Sequence, residues 1–225
     1  MKSERGTEAA KRRAGEHAAA IVSDGMVVGL GTGSTAAHAI RALGERCEAG
    51  LDVRGIPTSH QARALAREVG VPLTTLADAT PDLAIDGADQ VVGDTLVKGG
   101  GAAHAREKVV DAAADRFLVV VDETKLADLL DHSVPVEVLP AARPPVERRV
   151  RDLGGDPALR AAERKDGPVV TDNGNHVLDC DFGAVADPAG LAGALDAVPG
   201  VLAHGLFVDL ADEVHVGTAD GVDVR

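Results

Sequence analysis

At 225 residues and 45% hydrophobic content, the chain can bury a core as one large domain or two smaller ones, which excludes a disordered polymer. A net charge of −13 argues against nucleic acid or an anionic membrane as the main partner, because phosphates repel an acidic surface. Two cysteines, Cys47 and Cys180, are too few for a disulfide framework or a thiolate metal cluster. In chain order, residues 7–23 read as a helix and "MVVGL" (26–30) as a buried strand that ends in the Gly-rich "GTGST". A helix is expected over 34–47, a strand over 53–56 and a helix over 59–69. "DLAID" (82–86) reads as a strand that stops at "DGAD", residues 102–115 as a helix and "FLVVV" (117–121) as a buried strand. Strands apolar on both faces that alternate with helices predict an α/β fold with a mainly parallel sheet.

From about residue 131 the texture changes. "HSVPVEVLP" is punctuated by Pro, and "RPPVERRVRDLG" is a helix that starts with Pro and stops at Gly. "GPVVTDNGNHVLDCDF" holds two strand-like runs around "DNGN", a hairpin signal. "DPAGLAGALDAVPG" is a short helix, followed by "VLAHGLFV" and "EVHVGTADGVDVR". This pattern predicts a small α+β domain over 131–205, inserted before last strands that rejoin the first sheet. The larger domain then comprises 1–130 and 206–225.

The apolar runs are too short to cross a bilayer, and the charged start lacks the apolar centre of a secretory signal. A cytoplasmic protein with two reduced thiols is the simplest reading, although one Cys47–Cys180 disulfide is compatible with the sequence. Asp outnumbers Glu 24 to 12 and Arg outnumbers Lys 17 to 6. Such a surface suits a salt-rich cytoplasm, and it equally describes a solvated acidic face with no special adaptation.

Three loops carry the candidate chemistry. In an open parallel sheet, ligands bind at the carboxyl ends of the strands. Gly31, Thr32, Gly33, Ser34 and Thr35 follow a strand and open a helix, where free N–H groups and the helix dipole favour an anion. Two rival readings are a dinucleotide loop, since Gly31, Gly33 and Ala36 fit G-x-G-x-x-A, and a plain capped turn. The dinucleotide reading lacks an acidic residue at the end of the next strand, "VRGIPTS". Asp86 and Asp89 flank a Gly-Ala turn, where two carboxylates can divide hydroxyl binding from proton transfer, or form an Asx turn. In "LVKGGGAAHAREK" (96–108), Lys98 offers a positive charge to a developing oxyanion, and the bare backbone of Gly99, Gly100 and Gly101 can close on a substrate. The helix that follows brings in Glu107 as a candidate general base. His104, His132, His176, His204 and His215 show no metal-ligand spacing, and the two Asp lack a recognisable third ligand for Mg²⁺. Together these groups suit proton transfer beside the carbonyl of a small phosphorylated sugar.

"GLGTGSTA", "DGAD", "KGGGAAHAREK" and "DETK" resemble, in order and spacing, the A-type ribose-5-phosphate isomerases. "PVEVLPAARPPVERRV", "LGGDPALR", "VVTDNGNHVLD", "PGVLAHGLF" and "VHVGTADGV" resemble that family's second half, so the similarity spans nearly the whole chain. The resemblance implies an aldose–ketose isomerase acting on ribose 5-phosphate and ribulose 5-phosphate, with no metal and no organic cofactor. It implies Glu107 as the base that moves a proton between C1 and C2, with Asp86, Asp89 and Lys98 handling substrate and oxyanion. It further implies substrate binding by Thr32, Gly33, Ser34, Thr35, Gly87, Ala88, Gly99, Gly100, Gly101 and Lys125. It implies a Rossmann-like domain with a smaller α+β domain, and homo-oligomers, dimers or tetramers. His104 stands where that family commonly has Leu, and Gln90 where an acidic residue is common. Two other classes share such a fold: a CoA transferase, which needs a groove for a long thioester, and a non-catalytic sugar-phosphate sensor, which needs a DNA-binding module.

Overall fold

The structure, a computed structural model, describes residues 7–164 and 166–225. Residues 1–6 of the charged start lie outside the described residues. Along the chain run α1 (Glu8–Ile21), β1 (Val27–Leu30), α2 (Ser34–Glu48), β2 (Arg54–Pro57), α3 (His60–Glu68) and β3 (Leu83–Asp86). Next come β4 (Gln90–Val92), β5 (Thr95–Val97), α4 (His104–Ala113), β6 (Phe117–Asp122) and a single 3₁₀ turn, Glu123–Lys125. The remainder comprises β7 (Val134–Val138), a 3₁₀ turn at Pro140–Ala142, α5 (Arg143–Asp152), β8 (Asp156–Leu159), β9 (His176–Asp181) and α6 (Pro188–Asp196). Last are β10 (Val201–His204), β11 (Leu206–Phe207), β12 (Glu213–Gly217) and β13 (Val222–Val224).

Packing groups these elements into two units, and the chain passes between them at 88/89, 105/106, 126/127 and 209/210. One unit, residues 7–88, 106–126 and 210–225, is built on a six-stranded sheet in the order β13-β12-β6-β3-β1-β2. All neighbours are parallel except β12 and β13, so the expected α/β fold with a mainly parallel sheet is what forms. β1, β3 and β6 are buried along their whole length, as their unbroken apolar runs require. Thr7 and Ser59 start α1 and α3 by accepting the amides of Ala10 and Ala62. α1 turns a face of Ala10, Ala14, Gly15, Ala18 and Ala19 inward, small enough for close approach to α2 and β12.

The other unit, residues 89–105 and 127–209, carries a four-stranded antiparallel sheet, β10-β7-β9-β8, and a three-stranded one, β11-β5-β4. Its core is Val97, Leu130, Val134, Val136, Val138, Val146, Val150, Leu178, Cys180, Leu195 and Leu206, with smaller contributions around them. Residues 89–105, expected in the first domain, belong here because β5 pairs with β11. The hairpin expected around "DNGN" keeps only its second arm. Val170 makes a single bridge to His176, while β9 pairs with β7 and β8 instead. The reason lies at the turn. Thr171, Asn173 and Asn175 donate side-chain hydrogen bonds to Oε1 of the fully buried Glu137 on β7, which bends 171–175 inward.

Candidate active site

Because β1, β2, β3 and β6 run parallel, the loops that follow them lie at one edge of the sheet. The first loop begins at Gly31, where an added Cβ would lie 2.2 Å from Cγ of Asp86. No side chain fits there, so the two loops touch. Asp86 is fully buried, and its Oδ1 accepts from Thr32 N at 3.0 Å and Gly87 N at 2.7 Å. The Thr32 hydroxyl lies 2.9 Å from Thr58 Oγ1 and donates to Ser59 Oγ at 2.7 Å. Gly33, at φ +119°, is the N-cap of α2, and no side chain caps the amides that follow. Ser34 is exposed and Thr35 is 9% exposed. After β6, Asp122 accepts from the Thr124 amide at 2.9 Å and so starts the 3₁₀ turn that carries Lys125, which is half-buried. Glu107 lies in the first turn of α4, only 3% exposed.

The second unit holds Asp89, Lys98 and the three glycines. Lys98, at the end of β5, is 2% exposed, with Nζ 5.3 Å from the centroid of the Phe207 ring, a cation–π contact. Its backbone N–H donates to Gly205 O at 2.8 Å. Gly99 has φ +107°, and a Cβ there would come within 2.7 Å of Nδ1 of His104. A Cβ on Gly100 would lie 2.7 Å from Oδ1 of Asp89, and the Gly100 amide donates to Asp89 Oδ2 at 2.7 Å. The protein's own side chains thus already demand two bare positions in this run, before any substrate is considered. Gln90 has its own account. Its Nε2 donates to Asp131 Oδ1 at 2.6 Å, and its Oε1 accepts the amides of Asp131 and His132 at 3.0 Å. A carboxylate at 90 would face Asp131 without a proton to donate. His104 is completely buried and is the wall against which Gly99 is shaped.

Among the described residues, no group of three or more His, Cys, Asp or Glu is arranged to hold a metal ion, and no helix is long and apolar enough to cross a membrane. Both cysteines are free thiols.

Residues 54–221 match the family Ribose 5-phosphate isomerase A (phosphoriboisomerase A). The chain belongs to this family. Ribose-5-phosphate isomerase A of Natronomonas pharaonis is 72% identical over 225 residues, 100% of both chains. Ribose 5-phosphate isomerase A from Methanocaldococcus jannaschii shares the fold at a TM-score of 0.93 and 45% identity, over 96% of this chain and 97% of that one. A D-ribose-5-phosphate isomerase in complex with phospho-erythronic acid is 41% identical, with the same TM-score of 0.93 and the same coverage of 96% and 97%. Within the ribose-5-phosphate isomerase A frame, the sequence pointed to Thr32 and Asp86 but not to Thr58 and Ser59, which hold the Thr32 hydroxyl. The available signal was a Thr-Ser pair directly after a strand.

Proposed function

We propose that the protein is a ribose-5-phosphate isomerase, an aldose–ketose isomerase that interconverts D-ribose 5-phosphate and D-ribulose 5-phosphate. The observation that carries the reaction is the 72% identity, over the full length of both chains, to a ribose-5-phosphate isomerase A, with Glu107 buried in the first turn of the helix after the Lys98–Gly101 loop. In the open-chain aldose, the Glu107 carboxylate takes the proton from C2. The C2 electron pair forms the C1–C2 double bond, and the C1 carbonyl oxygen gains the negative charge of an enediolate. Lys98 offsets that charge in surroundings with little water, where it counts for more than in bulk. Glu107 then returns its proton to C1, and the hydroxyl proton passes from O2 to O1, leaving a ketose. Asp86 and Asp89, with Gly87 and Ala88, bind the hydroxyls and assist ring opening. The uncapped amides at the start of α2, with Thr32, Gly33, Ser34 and Thr35, take the phosphate, and Gly99, Gly100, Gly101 and Lys125 complete the binding set. Phospho-erythronic acid, held by a relative, pairs a phosphate with a planar carboxylate, the charge pattern of a phosphorylated enediolate.

The reading extends to context. The unit built on the six-stranded sheet is the Rossmann-like domain and the other the small α+β domain. The enzyme works in the cytoplasm, in the non-oxidative pentose phosphate pathway, as a homo-oligomer, with side chains alone moving the proton. Ribose 5-phosphate turnover, with EDTA present, tests it on the wild type beside Glu107→Gln. Wild-type turnover and a fall of about 10²–10⁴-fold in kcat for the variant are expected. A wild type inactive in both low and high salt that still binds the sugar phosphate would make it a sensor and overturn the catalytic roles.

A further inference from the structure

The triple-glycine loop is costly to order. Glycine loses more backbone freedom on folding than any other residue, and Ala102, directly after the run, sits in the left-handed region at φ +59°. Something must hold the loop in one shape. Within its own unit that clamp is Arg160, the residue after β8, whose side chain is 16% exposed. Its Nη1 donates to Gly99 O at 2.8 Å and to Gly100 O at 3.3 Å. Its Nε donates to Asp179 Oδ2 at 2.9 Å, and its Nη2 donates to Asp179 Oδ1, so the guanidinium is gripped at two points by a carboxylate on β9. The Arg160 backbone is pinned as well, donating to Val177 O at 2.9 Å and accepting from Val169 N at 2.9 Å.

The peptide between Gly99 and Gly100 is the meeting point. Its carbonyl accepts from Arg160 and from Ala102 N, the latter at 2.9 Å, and its N–H donates to Asp89 at 2.7 Å. One peptide plane therefore joins Asp179 and Arg160 to Asp89. A carbonyl hydrogen-bonded to a cation makes the N–H of the same peptide a stronger donor. We infer that Arg160, oriented by Asp179, is a positioning residue for the isomerase site: it fixes the Gly99–Gly100 peptide, and through it the carboxylate of Asp89 and the start of the loop at Lys98. The inference rests on the proposed reaction, in which Asp89 and Lys98 meet the substrate. Arginine fits best because one planar fork grips a carboxylate along one edge and a carbonyl with its remaining N–H; a lysine ammonium supplies the charge to the carbonyl without the fork's second grip.

The test compares Arg160→Met, Arg160→Lys and Asp179→Asn with wild type and Glu107→Gln. For each, kcat and KM for ribose 5-phosphate are measured, with the thermal unfolding midpoint alongside. A displacement of about 1 Å at a reacting group can cost ~100-fold, so Arg160→Met is expected to lose about 10–100-fold in kcat. KM should move less than the rate, Arg160→Lys should recover part of the loss, and Asp179→Asn should lose less than Arg160→Met. All four variants should remain folded at the assay temperature. Folded Arg160→Met with wild-type kcat overturns the inference while leaving the reaction intact. Arg160→Lys no better than Arg160→Met also overturns it, because the charge at the Gly99 carbonyl would then be irrelevant. If Arg160→Met does not fold, Asp179→Asn with a full wild-type kcat overturns it. Wild-type protein without turnover, or Glu107→Gln with full activity, would instead remove the proposed reaction, and this inference with it.

Discussion

Asp86 shows how much one side chain can organise. It is fully buried at the end of β3, accepts two backbone amides through one oxygen, and forces position 31 to be glycine. A second residue governs how the protein meets acid. His215 on β12 is completely buried, its Nδ1 lies 3.0 Å from Nδ1 of His17 on α1, and its Nε2 lies 3.0 Å from Glu213, which also pairs with Arg116. Burial pushes the His215 pKa below 6.5; Glu213 pulls the other way, while the charges of His17 and Arg116 add to the depression. Between that depressed value and 6.5 the unfolded chain binds more protons than the folded one, so stability falls as pH drops through this window. The hydrogen bond from His215, then Arg116, holds the Glu213 carboxyl below 4.5, and its contribution is lost at lower pH still. The unfolding midpoint should therefore decline below about pH 6.5, and in His215→Gln that first decline should flatten. An equally steep decline in the variant would remove His215 as its source.

At the scale of elements, α1 illustrates a rule inverted by its surroundings. Replacing a helical glycine with alanine ordinarily stabilises by about 1 kcal/mol. Gly15 is different: a Cβ there would meet the Ala39 backbone N at 2.7 Å and Thr35 O at 2.9 Å, so α1 would have to back away from α2. Gly15→Ala is expected to destabilise by about 1–3 kcal/mol in chemical denaturation, and a gain in stability would show that the contact yields. Much of this level was readable beforehand. Helices with apolar periodicity and strands buried on both faces were placed to within a few residues, including last strands that rejoin the first sheet. The β4–β5 hairpin was missed, although Gly93 and Asp94, between Val92 and Thr95, form a two-residue turn of recognisable kind. Its strands have only three residues each, too short for alternation to show. In the proposed site, Asp86, Lys98 and Glu107 stand out by type and spacing, while the inferred positioning residue Arg160 does not. It lies 61 residues from Gly99, and its meaning depends on a carbonyl pairing that no local pattern encodes.

Across the whole molecule, charge is the governing quantity. A net charge of −13 on 225 residues means self-repulsion at low ionic strength. The Debye length shrinks from about 10 Å at 0.1 M to about 3 Å at 1 M salt, so the unfolding midpoint should rise over that range. A maximum at low salt would count against an acidic surface suited to a salt-rich cytoplasm. Thiol chemistry should contribute little: Cys180 is buried in the core of its unit, where desolvation pushes its pKa up to about 12, and burial also raises that of Cys47.

The four crossings of the chain between its two units carry a consequence for inheritance. Neither unit is encoded by an uninterrupted stretch of gene, and the six-stranded sheet takes β12, next to β6, from beyond residue 209. No single cut yields one unit whole. Recombination that moved only a contiguous block of one unit would leave part of it behind: even 127–209, which holds the four-stranded sheet, separates β11 from β5 and β4, so the two units are expected to be inherited together.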